Sequence, residues 1–333
     1  MRKLLILIAA VAAVCAAVVS ARGEEEVNPR LESLRRLEAR ADSGCPDAIF
    51  SFARVLETGD EVLPQDSVRA FDLYRMAADS MYPPALNYLG YCYYTGNYVL
   101  PQRRDTAIIL IEKAAMLGDM SAAANLGWLL SREDAGVHRD LDKALHWLGR
   151  AAESGNPAPL ASMAEIYMVR GDSATAEQYL DSAARLGDIP SSLRLLSIRE
   201  ERYDSMQPQE LMQEALDYYH TTRALPLAVG IFSKLAEEDS ETVDKEIKAY
   251  AIAIIAQLKS LGLGVAYDYE GAMRMFLEAA RMGDPSAQYI VGETLDMTPD
   301  AFGDGVEDAG EWRRKAGAGG IEDAHAALRR LLP

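Results

Sequence analysis

Apolar residues recur along this chain at intervals of three and four residues, in blocks separated by short glycine-containing or polar segments. One such stretch covers residues 85–118, where the apolar positions are 89 and 93, and then 107, 110, 111 and 114. This spacing places apolar side chains on one face of a helix. Because Gly96 and the polar residues up to Asp105 interrupt the pattern, the stretch predicts two amphipathic helices joined by a loop.

The same helical pair is repeated. The pattern Ala-Ala-x-x-Gly occurs as AAMLG at Ala114, AAESG at Ala151, AARLG at Ala183 and AARMG at Ala279, with weaker copies at Ala77 and Ala316. The steps from 77 to 114, from 114 to 151 and from 279 to 316 are each 37 residues, and that from 151 to 183 is 32. Paired alanines let two helices approach closely, and the glycine supplies a left-handed residue that ends the second helix.

Repetition of this unit predicts the fold class. One hairpin of 37 residues buries a single stripe of side chains, which does not offset an ordering entropy of ~1.5 kcal/mol per residue. Neighbouring units must therefore stack to form a continuous core. We expect an all-α protein, a right-handed α/α superhelical solenoid of stacked helix–loop–helix repeats.

The most complete unit is AIAIIAQLKSLGLGVAYDYEGAMRMFLEAARMGDPSA at 251–287, and partial copies lie at 85–96, 123–155 and 303–316. This unit closely resembles the Sel1-like repeat, AxxxLGxxYxxGxGVxxDxxKAxxWYxKAAxxGxxxA. The tetratricopeptide repeat is the nearest alternative, with a period of ~34 residues. The longer period and the GxGVxxD loop favour the Sel1-like repeat. The resemblance implies a helical scaffold of the kind that serves as an adaptor.

The repeat pattern divides the chain. The predicted segments are a signal peptide or uncleaved anchor at 1–21, an N-terminal cap helix at 22–47, four repeats at 48–190, degenerate repeats at 191–250, and two further repeats with a C-terminal capping helix at 251–333. Within the degenerate segment, IREERYDSMQPQ at 198–209 predicts an unusually polar loop. That segment is either a kink in the solenoid or a separate binding surface.

The N-terminus predicts export. Arg2 and Lys3 precede an apolar run from Leu4 to Val19, and small residues follow. This arrangement is typical of a secretory signal. The run also approaches the ~20 residues that span a bilayer, so an uncleaved anchor is a second interpretation, and a lipidated Cys15 is a third. We therefore expect an exported protein that is periplasmic or associated with the cell envelope.

The net charge and the cysteine content limit the classes of function that the chain can have. Acidic residues outnumber basic ones by 51 to 34, and the net charge of −17 would repel nucleic acid. Contact with a membrane is expected only through an uncleaved N-terminal segment. Beyond that segment, Cys45 and Cys92 lack the spacing of a metal site. We expect both to be small buried apolar residues.

No catalytic set is apparent in the sequence. His138, His146, His220 and His325 lie in different units, without a metal-binding or nucleophile motif. The Gly262-Leu263-Gly264 sequence follows no strand and is expected to be a turn. We therefore predict a protein that is not an enzyme and that needs neither a metal nor another cofactor.

The candidate binding residues lie on the predicted first helices of two successive repeats. They are Tyr88, Tyr91, Tyr94, Asn125 and Trp128. Such helices line the concave face of a solenoid, and Tyr and Trp bury a large area with little loss of rotamer entropy. We expect some of the tyrosine and tryptophan side chains to pack in the core and the others to face the groove. Asn87 and Asn125 would either bind the backbone of a peptide or form hydrogen bonds between helices.

These observations predict a scaffold of the bacterial cell envelope that binds a protein or peptide on its concave face. Two alternatives belong to other classes of function. One is an enzyme of cell-wall or antibiotic metabolism, whose site would lie in 191–250. The other is a regulator that binds glycans or peptidoglycan fragments through its tyrosines.

Overall fold

The described residues are almost entirely helical. The computed structural model describes residues 28–96, 99–133, 138–237, 243–303, 306–321 and 323–331, and these contain no strand. The chain forms two compact units, of which unit 1 ends at Arg139 and unit 2 begins at Asp140. The predicted all-α class is confirmed.

Unit 1 contains six described helices: α1 (Pro29–Asp42), α2 (Pro46–Thr58), α3 (Ser67–Asp79), α4 (Pro83–Thr95), α5 (Arg104–Met116) and α6 (Met120–Ser131). Helices α2 and α3 form one hairpin, and α4 and α5 form the next. Helix α1 packs against α2, α3 packs against α4, and α5 packs against α6. Each hairpin therefore buries its apolar stripe against its neighbours, as the repeat pattern predicts.

Unit 2 contains twelve described α-helices: α7 (Leu141–Ala152), α8 (Ala158–Val169), α9 (Ser173–Arg185), α10 (Ile189–Ile198), α11 (Glu200–Ser205), α12 (Pro208–Tyr219), α13 (Leu225–Glu237), α14 (Lys245–Leu261), α15 (Tyr269–Met282), α16 (Pro285–Met297), α17 (Ala309–Ala318) and α18 (Ala324–Leu331). Helices α8/α9, α12/α13, α14/α15 and α16/α17 pair as hairpins.

Aspartates begin many of these helices. The side chain of an Asp at the N-cap accepts a hydrogen bond from a backbone N–H of the first turn, which otherwise lacks a partner. The residues that do so are Asp66, Asp119, Asp140, Asp172, Asp188, Asp244, Asp268, Asp284 and Asp308. Part of the acidic excess of the sequence thus has a structural role.

The repeated alanine pairs and glycines behave as predicted. Ala114 and Ala115 are buried, and Gly118, which follows them, has a φ of 94°. The N–H of Gly118 donates to the carbonyl of Ala115, and that of Asp119 to the carbonyl of Ala114, each at 3.1 Å. These are the two bonds of the Schellman motif, in which a left-handed residue ends the helix.

The prediction of a polar loop at 198–209 is wrong. Most of this stretch is helical, because it forms α11 and the start of α12. Two of its side chains are buried, because Arg199 is 9% exposed and Tyr203 is 2% exposed. Most of its other polar residues are exposed, so the polarity that suggested a loop belongs to the solvent side of a helix.

Both described cysteines are free thiols. Cys92 is buried in α4, as expected, and burial raises the pKa of its thiol to about 11. Cys45 departs from the prediction, because it is half-buried at the N-cap of α2 rather than in the core. A hydrogen bond from the backbone of Ala48 and another from Arg40 lower the pKa of the Cys45 thiol.

Within the described residues, no helix is long and apolar enough to span a membrane. The predicted signal or anchor at 1–21 and the alternative of a lipidated Cys15 lie outside the described residues.

Candidate functional site

The five predicted binding residues lie on α4 and α6 of unit 1, but they differ in exposure. Tyr91 is 56% exposed and Trp128 is 39% exposed, whereas Tyr88, Tyr94 and Asn125 are half-buried. Tyr91 and Trp128 are 37 residues apart, the same interval that separates Gly90 from Gly127 in the Leu-Gly pairs before them. They therefore occupy the same position in successive repeats.

Tyr88 belongs to the packing between repeats. Its ring lies 4.5 Å from that of Tyr74 on α3 and 6.3 Å from that of Phe50 on α2. Its hydroxyl donates a hydrogen bond to Glu57, which also accepts one from the hydroxyl of Tyr74 at 2.8 Å. Burial and this carboxylate together raise the pKa of the Tyr88 phenol, which stays protonated. Tyr88 thus joins α4 to the preceding hairpin.

Asn125 takes part in a short chain of hydrogen bonds between helices. Its Nδ2 donates to Oδ1 of Asn87 on α4 at 3.0 Å, and Nδ2 of Asn87 donates to Oδ1 of Asp119 at 3.5 Å. Asp119 also caps α6 by accepting from the N–H of Ala122 at 2.6 Å. The two amides therefore fix the spacing of α4 and α6, which was one of the two roles expected for them.

Trp128 and Tyr94 form an ordered aromatic pair. Their rings meet edge to face with centroids 6.1 Å apart. The guanidinium of Arg132 lies 4.9 Å from the centre of the Trp128 ring, and that of Arg104 lies 5.7 Å from the Tyr94 ring. Cations at this distance are attracted to the ring faces. Because these contacts hold the indole in place, Trp128 is exposed yet fixed.

We call the surface that carries Tyr91, Tyr94, Asn125 and Trp128 the α4/α6 face. It offers aromatic rings, an amide and the guanidinium of Arg132, which are groups that bind a protein or peptide through apolar contact and hydrogen bonds. It offers no group poised for proton transfer.

Unit 2 contains a second candidate site that the sequence did not reveal. A cavity of about 1160 Å³ lies between α9, α11 and α12. Its lining is dominated by charged side chains, namely Glu177, Asp181, Arg185, Arg199, Arg202, Glu210, Glu214 and Asp217. We call these residues and Tyr218 the charged cluster. Glu177, Asp181 and Arg185 belong to the last repeat before the period is lost, and the other members belong to the segment without a repeat signal.

Arg199 is the centre of the charged cluster. Its Nε donates to Glu177 on α9, and its Nη1 donates to the hydroxyl of Tyr218 on α12 at 2.7 Å. That hydroxyl in turn donates to Asp181. Arg185 bonds to both Asp181 at 2.8 Å and Asp217 at 2.9 Å. Each guanidinium is therefore shared between carboxylates on different helices.

Hydrogen bonds counteract the effect of burial on the pKa of two groups of the charged cluster, Asp181 and Arg199. Burial alone would raise the pKa of Asp181, but hydrogen bonds from Tyr218 and Arg185 outweigh it and hold the pKa below the ordinary value. Burial would likewise lower the pKa of Arg199, but its bonds to Tyr203, Glu177 and Tyr218 raise it. A general acid or base needs a pKa near the working pH, so these groups are suited to holding helices together rather than to moving protons.

The histidines with described side chains do not form a metal site. His138, His146 and His220 are exposed, and the side chain of His325 lies outside the described residues. Across the described part of the chain, no group of three or more His, Cys, Asp or Glu side chains is placed to hold a metal ion.

Comparison with known families identifies the repeat. The sequence profile of the Sel1 repeat matches residues 46–80, 83–119, 121–156, 165–188 and 249–284, which together make up just over half of the chain. Four of the matched segments are consecutive, and the fifth lies beyond the region where the predicted pattern decays. The predicted resemblance to Sel1-like repeats is confirmed.

Two curated relatives are fungal regulators. The chitin synthase regulator SKT5 of Saccharomyces cerevisiae is 29% identical over 148 residues, which are 43% of this chain and 21% of the relative. Chitin synthase regulatory factor 3 of Schizosaccharomyces pombe is 24% identical over 279 residues, which are 75% of this chain and 29% of the relative. This chain thus spans less than a third of the length of either relative.

A solved structure with a similar chain is c5321, a protective antigen present in uropathogenic Escherichia coli strains that displays an SLR fold. It is 24% identical, with a TM-score of 0.46, and the match covers 89% of this chain and 62% of the other.

Proposed function

We propose that this chain, which belongs to the Sel1 repeat family, is a non-enzymatic scaffold that binds a protein or peptide on the α4/α6 face. The observation that carries the proposal is the pair of exposed aromatic residues, Tyr91 and Trp128, at the same position of successive repeats. An extended or helical ligand that lies across both repeats would meet one ring on each.

The chemistry of the α4/α6 face supports this role. Tyr and Trp are enriched among the residues that dominate the binding energy of protein interfaces. Since Tyr94 and Arg132 already fix the indole of Trp128, little rotamer freedom is lost when a partner covers it. The amides of Asn87 and Asn125 keep α4 and α6 in register, so the two rings are presented at a fixed spacing.

The names of two relatives support a role in which this chain binds a protein. Both are named as regulators of chitin synthase. We extend to this chain only the general role, a scaffold whose partner is a protein. Asp181 and Arg199 of the charged cluster favour the same conclusion, because their hydrogen bonds lower the pKa of the first and raise that of the second.

The proposal includes export to a bacterial cell envelope. Its basis is the N-terminal sequence, in which two basic residues, an apolar run and small residues follow one another. A periplasmic or envelope-associated scaffold would meet its partner there.

A glycan-binding regulator is the second candidate, because exposed tyrosine and tryptophan rings also stack on sugar rings. The two candidate functions differ in the ligand that Tyr91 and Trp128 would bind. A protein ligand should be recovered as a polypeptide, whereas a peptidoglycan fragment should be recovered as a saccharide that survives protease treatment.

The test is an affinity capture from envelope extract with the full chain and two double variants. Tyr91→Ala/Trp128→Ala removes the rings of the α4/α6 face. Tyr267→Ala/Tyr269→Ala is the matched control, since these tyrosines of unit 2 are 68% and 50% exposed. We expect a polypeptide that is retained by the wild-type chain and by the control, and lost by the first variant at unchanged helix content.

Equal retention by all three chains would contradict the assignment of the α4/α6 face. Loss with both double variants would indicate capture by exposed aromatic rings in general, which also contradicts it.

A further inference from the structure

The last described helix does more than end the stack of unit 2. Helix α18 packs against both α16 and α14, and its final residues reach α12. These three helices belong to three successive hairpins, α12/α13, α14/α15 and α16/α17. Helix α18 thus rests mainly on the hairpin before it, α16/α17, and also reaches the two earlier hairpins.

Two tyrosines hold the C-terminal end of α18. The hydroxyl of Tyr219 on α12 donates to the backbone carbonyl of Leu331, and the hydroxyl of Tyr250 on α14 donates to the carbonyl of Arg330 at 3.2 Å. The last four carbonyls of a helix have no partner within the helix. Tyr219 and Tyr250 therefore cap α18 through its backbone, a form of recognition that any helix ending at this point can satisfy.

The side chains of α18 add a charged and an apolar contact. The guanidinium of Arg330 lies 5.0 Å from the centre of the Tyr250 ring, and its Nη2 lies 3.4 Å from Oδ2 of Asp284 at the start of α16. The Asp284 side chain is 1% exposed. Leu331 is fully buried in the main core of unit 2. An arginine followed by a leucine is thus what this surface recognises.

The connection to α18 permits its release. Residues 316–320 read Ala-Gly-Ala-Gly-Gly, and Gly320 has a φ of 87°, so the junction with α17 is rich in the residue that has the greatest backbone freedom. Helix α18 has only eight residues, and isolated helices of fewer than ~12–15 residues are marginal in water. Undocking and unfolding of α18 are therefore expected to be one local event.

We propose that α12, α14 and α16 form a helix-binding site that α18 occupies within the same chain, and that the site accepts a partner's helix whose last turn carries an Arg-Leu pair. The short tether gives α18 an effective concentration in the mM range, which keeps the site closed in the absence of a competitor. This site is in unit 2 and does not depend on the α4/α6 face of unit 1.

The proposal is tested with a fluorescent, C-terminally amidated peptide of residues 321–331 and the full chain. In one variant, Arg330→Ala/Leu331→Ala, the resident helix is weakened while the three helices of the site are unchanged. Because a closed site lowers apparent affinity by the fraction that is open, fluorescence anisotropy should show binding at least about tenfold tighter to this variant than to the wild-type chain.

Two further variants identify the site. Tyr219→Phe/Tyr250→Phe, added to Arg330→Ala/Leu331→Ala, should reduce peptide binding because it removes both hydrogen-bond donors. Tyr267→Phe/Tyr269→Phe, added to the same background, is the control and should leave binding unchanged. Equal binding of the peptide to the wild-type chain and to Arg330→Ala/Leu331→Ala, or no binding to either, would overturn the proposal.

A measurement on the wild-type chain covers the case in which the variants do not fold. Native-state hydrogen exchange should show the amides of α18 exchanging by a local opening, faster than those of α14 and α16. If α18 exchanges only together with α14 and α16, it is a fixed part of unit 2 and the proposal fails.

Discussion

The guanidinium of Arg199 joins three helices of unit 2. It stands at the N-cap of α11, bonds to Glu177 on α9 and bonds to Tyr218 on α12. Its side chain is 10% exposed, so water does little to compensate the charges if one partner is lost. At the scale of the residue, this side chain links α9, α11 and α12 through charged hydrogen bonds.

Replacement of Arg199 is expected to destabilise unit 2 strongly. Arg199→Met keeps much of the volume but removes the hydrogen-bond donor of Glu177 and Tyr218, while Asp181 keeps its bond to Arg185. Loss of one partner of a buried hydrogen bond costs about 1–3 kcal/mol, so we expect a loss of about 2 kcal/mol. Arg75→Met is the control, because Arg75 pairs with Asp72 in the open and is 46% exposed; such a pair contributes about 0–1 kcal/mol. Urea denaturation followed by circular dichroism measures both, and equal midpoints would refute this role of Arg199.

Met81 occupies a position that the other repeats give to glycine. Its φ is 59°, and its N–H and that of Tyr82 donate to the carbonyls of Ala78 and Ala77, at 2.9 and 3.1 Å. These bonds match those at Gly118. The hydrogen bonds of the helix end thus impose the left-handed conformation even where the residue disfavours it.

Met81→Gly is therefore expected to stabilise unit 1. A left-handed conformation costs a non-glycine residue ~1–2 kcal/mol, and glycine would relieve this strain. Glycine also gives the unfolded chain more conformational freedom, which lowers the free energy of unfolding by ~0.4–1 kcal/mol. The net gain in stability is about 0.5 kcal/mol. The reverse change, Gly118→Ala, has open space for its methyl group and should destabilise the chain for the conformational reason alone. Thermal unfolding should shift in opposite directions for the two variants.

At the scale of the helix, close approach within a hairpin depends on small residues. Gly90 of α4 faces α5, and a Cβ atom added there would lie 2.5 Å from Cγ1 of Ile111 and 3.0 Å from the carbonyl oxygen of Ala107. The second of these is backbone and cannot move away by itself. The spacing of α4 and α5 therefore depends on the missing side chain.

Gly90→Ala is expected to destabilise unit 1 by about 1–3 kcal/mol, the usual effect of overpacking. Gly149→Ala is the matched control, because Gly149 also lies within a helix and an added Cβ meets nothing within 4 Å. That change should stabilise the chain by roughly 0.5–1 kcal/mol through helix propensity. If both substitutions shifted the urea midpoint in the same direction, the account of the α4–α5 contact would be wrong.

The helical repeats were predictable because each is specified locally, by an alanine pair, a glycine and an aspartate cap within one period. The α4/α6 face followed from the same period, although the role of Tyr88 in packing depends on Glu57 and Tyr74 of the preceding hairpin. Helix α11 was missed because its exposed charged residues resemble those of a loop, and because the burial of Arg199 and Tyr203 depends on other helices. The position of α18 was also not predictable, since Tyr219 and Leu331 are far apart in the chain.

At the scale of the whole molecule, the two units present different kinds of surface. Unit 1 exposes the aromatic residues of the α4/α6 face, while unit 2 contains the charged cluster and a surface already covered by α18. The net charge of −17 partly reflects aspartates that cap helices, so it does not by itself define a binding face. We therefore assign partner recognition to specific aromatic contacts rather than to the overall electrostatic field.

The measurement that tests this assignment most directly is the affinity of the captured, purified partner for the full chain by isothermal titration calorimetry. We expect Tyr91→Ala/Trp128→Ala to weaken binding by at least about tenfold, and Tyr267→Ala/Tyr269→Ala to leave the dissociation constant unchanged. Equal affinities of the wild-type chain and of a folded Tyr91→Ala/Trp128→Ala variant would contradict the central claim, because the partner would then bind elsewhere on the chain.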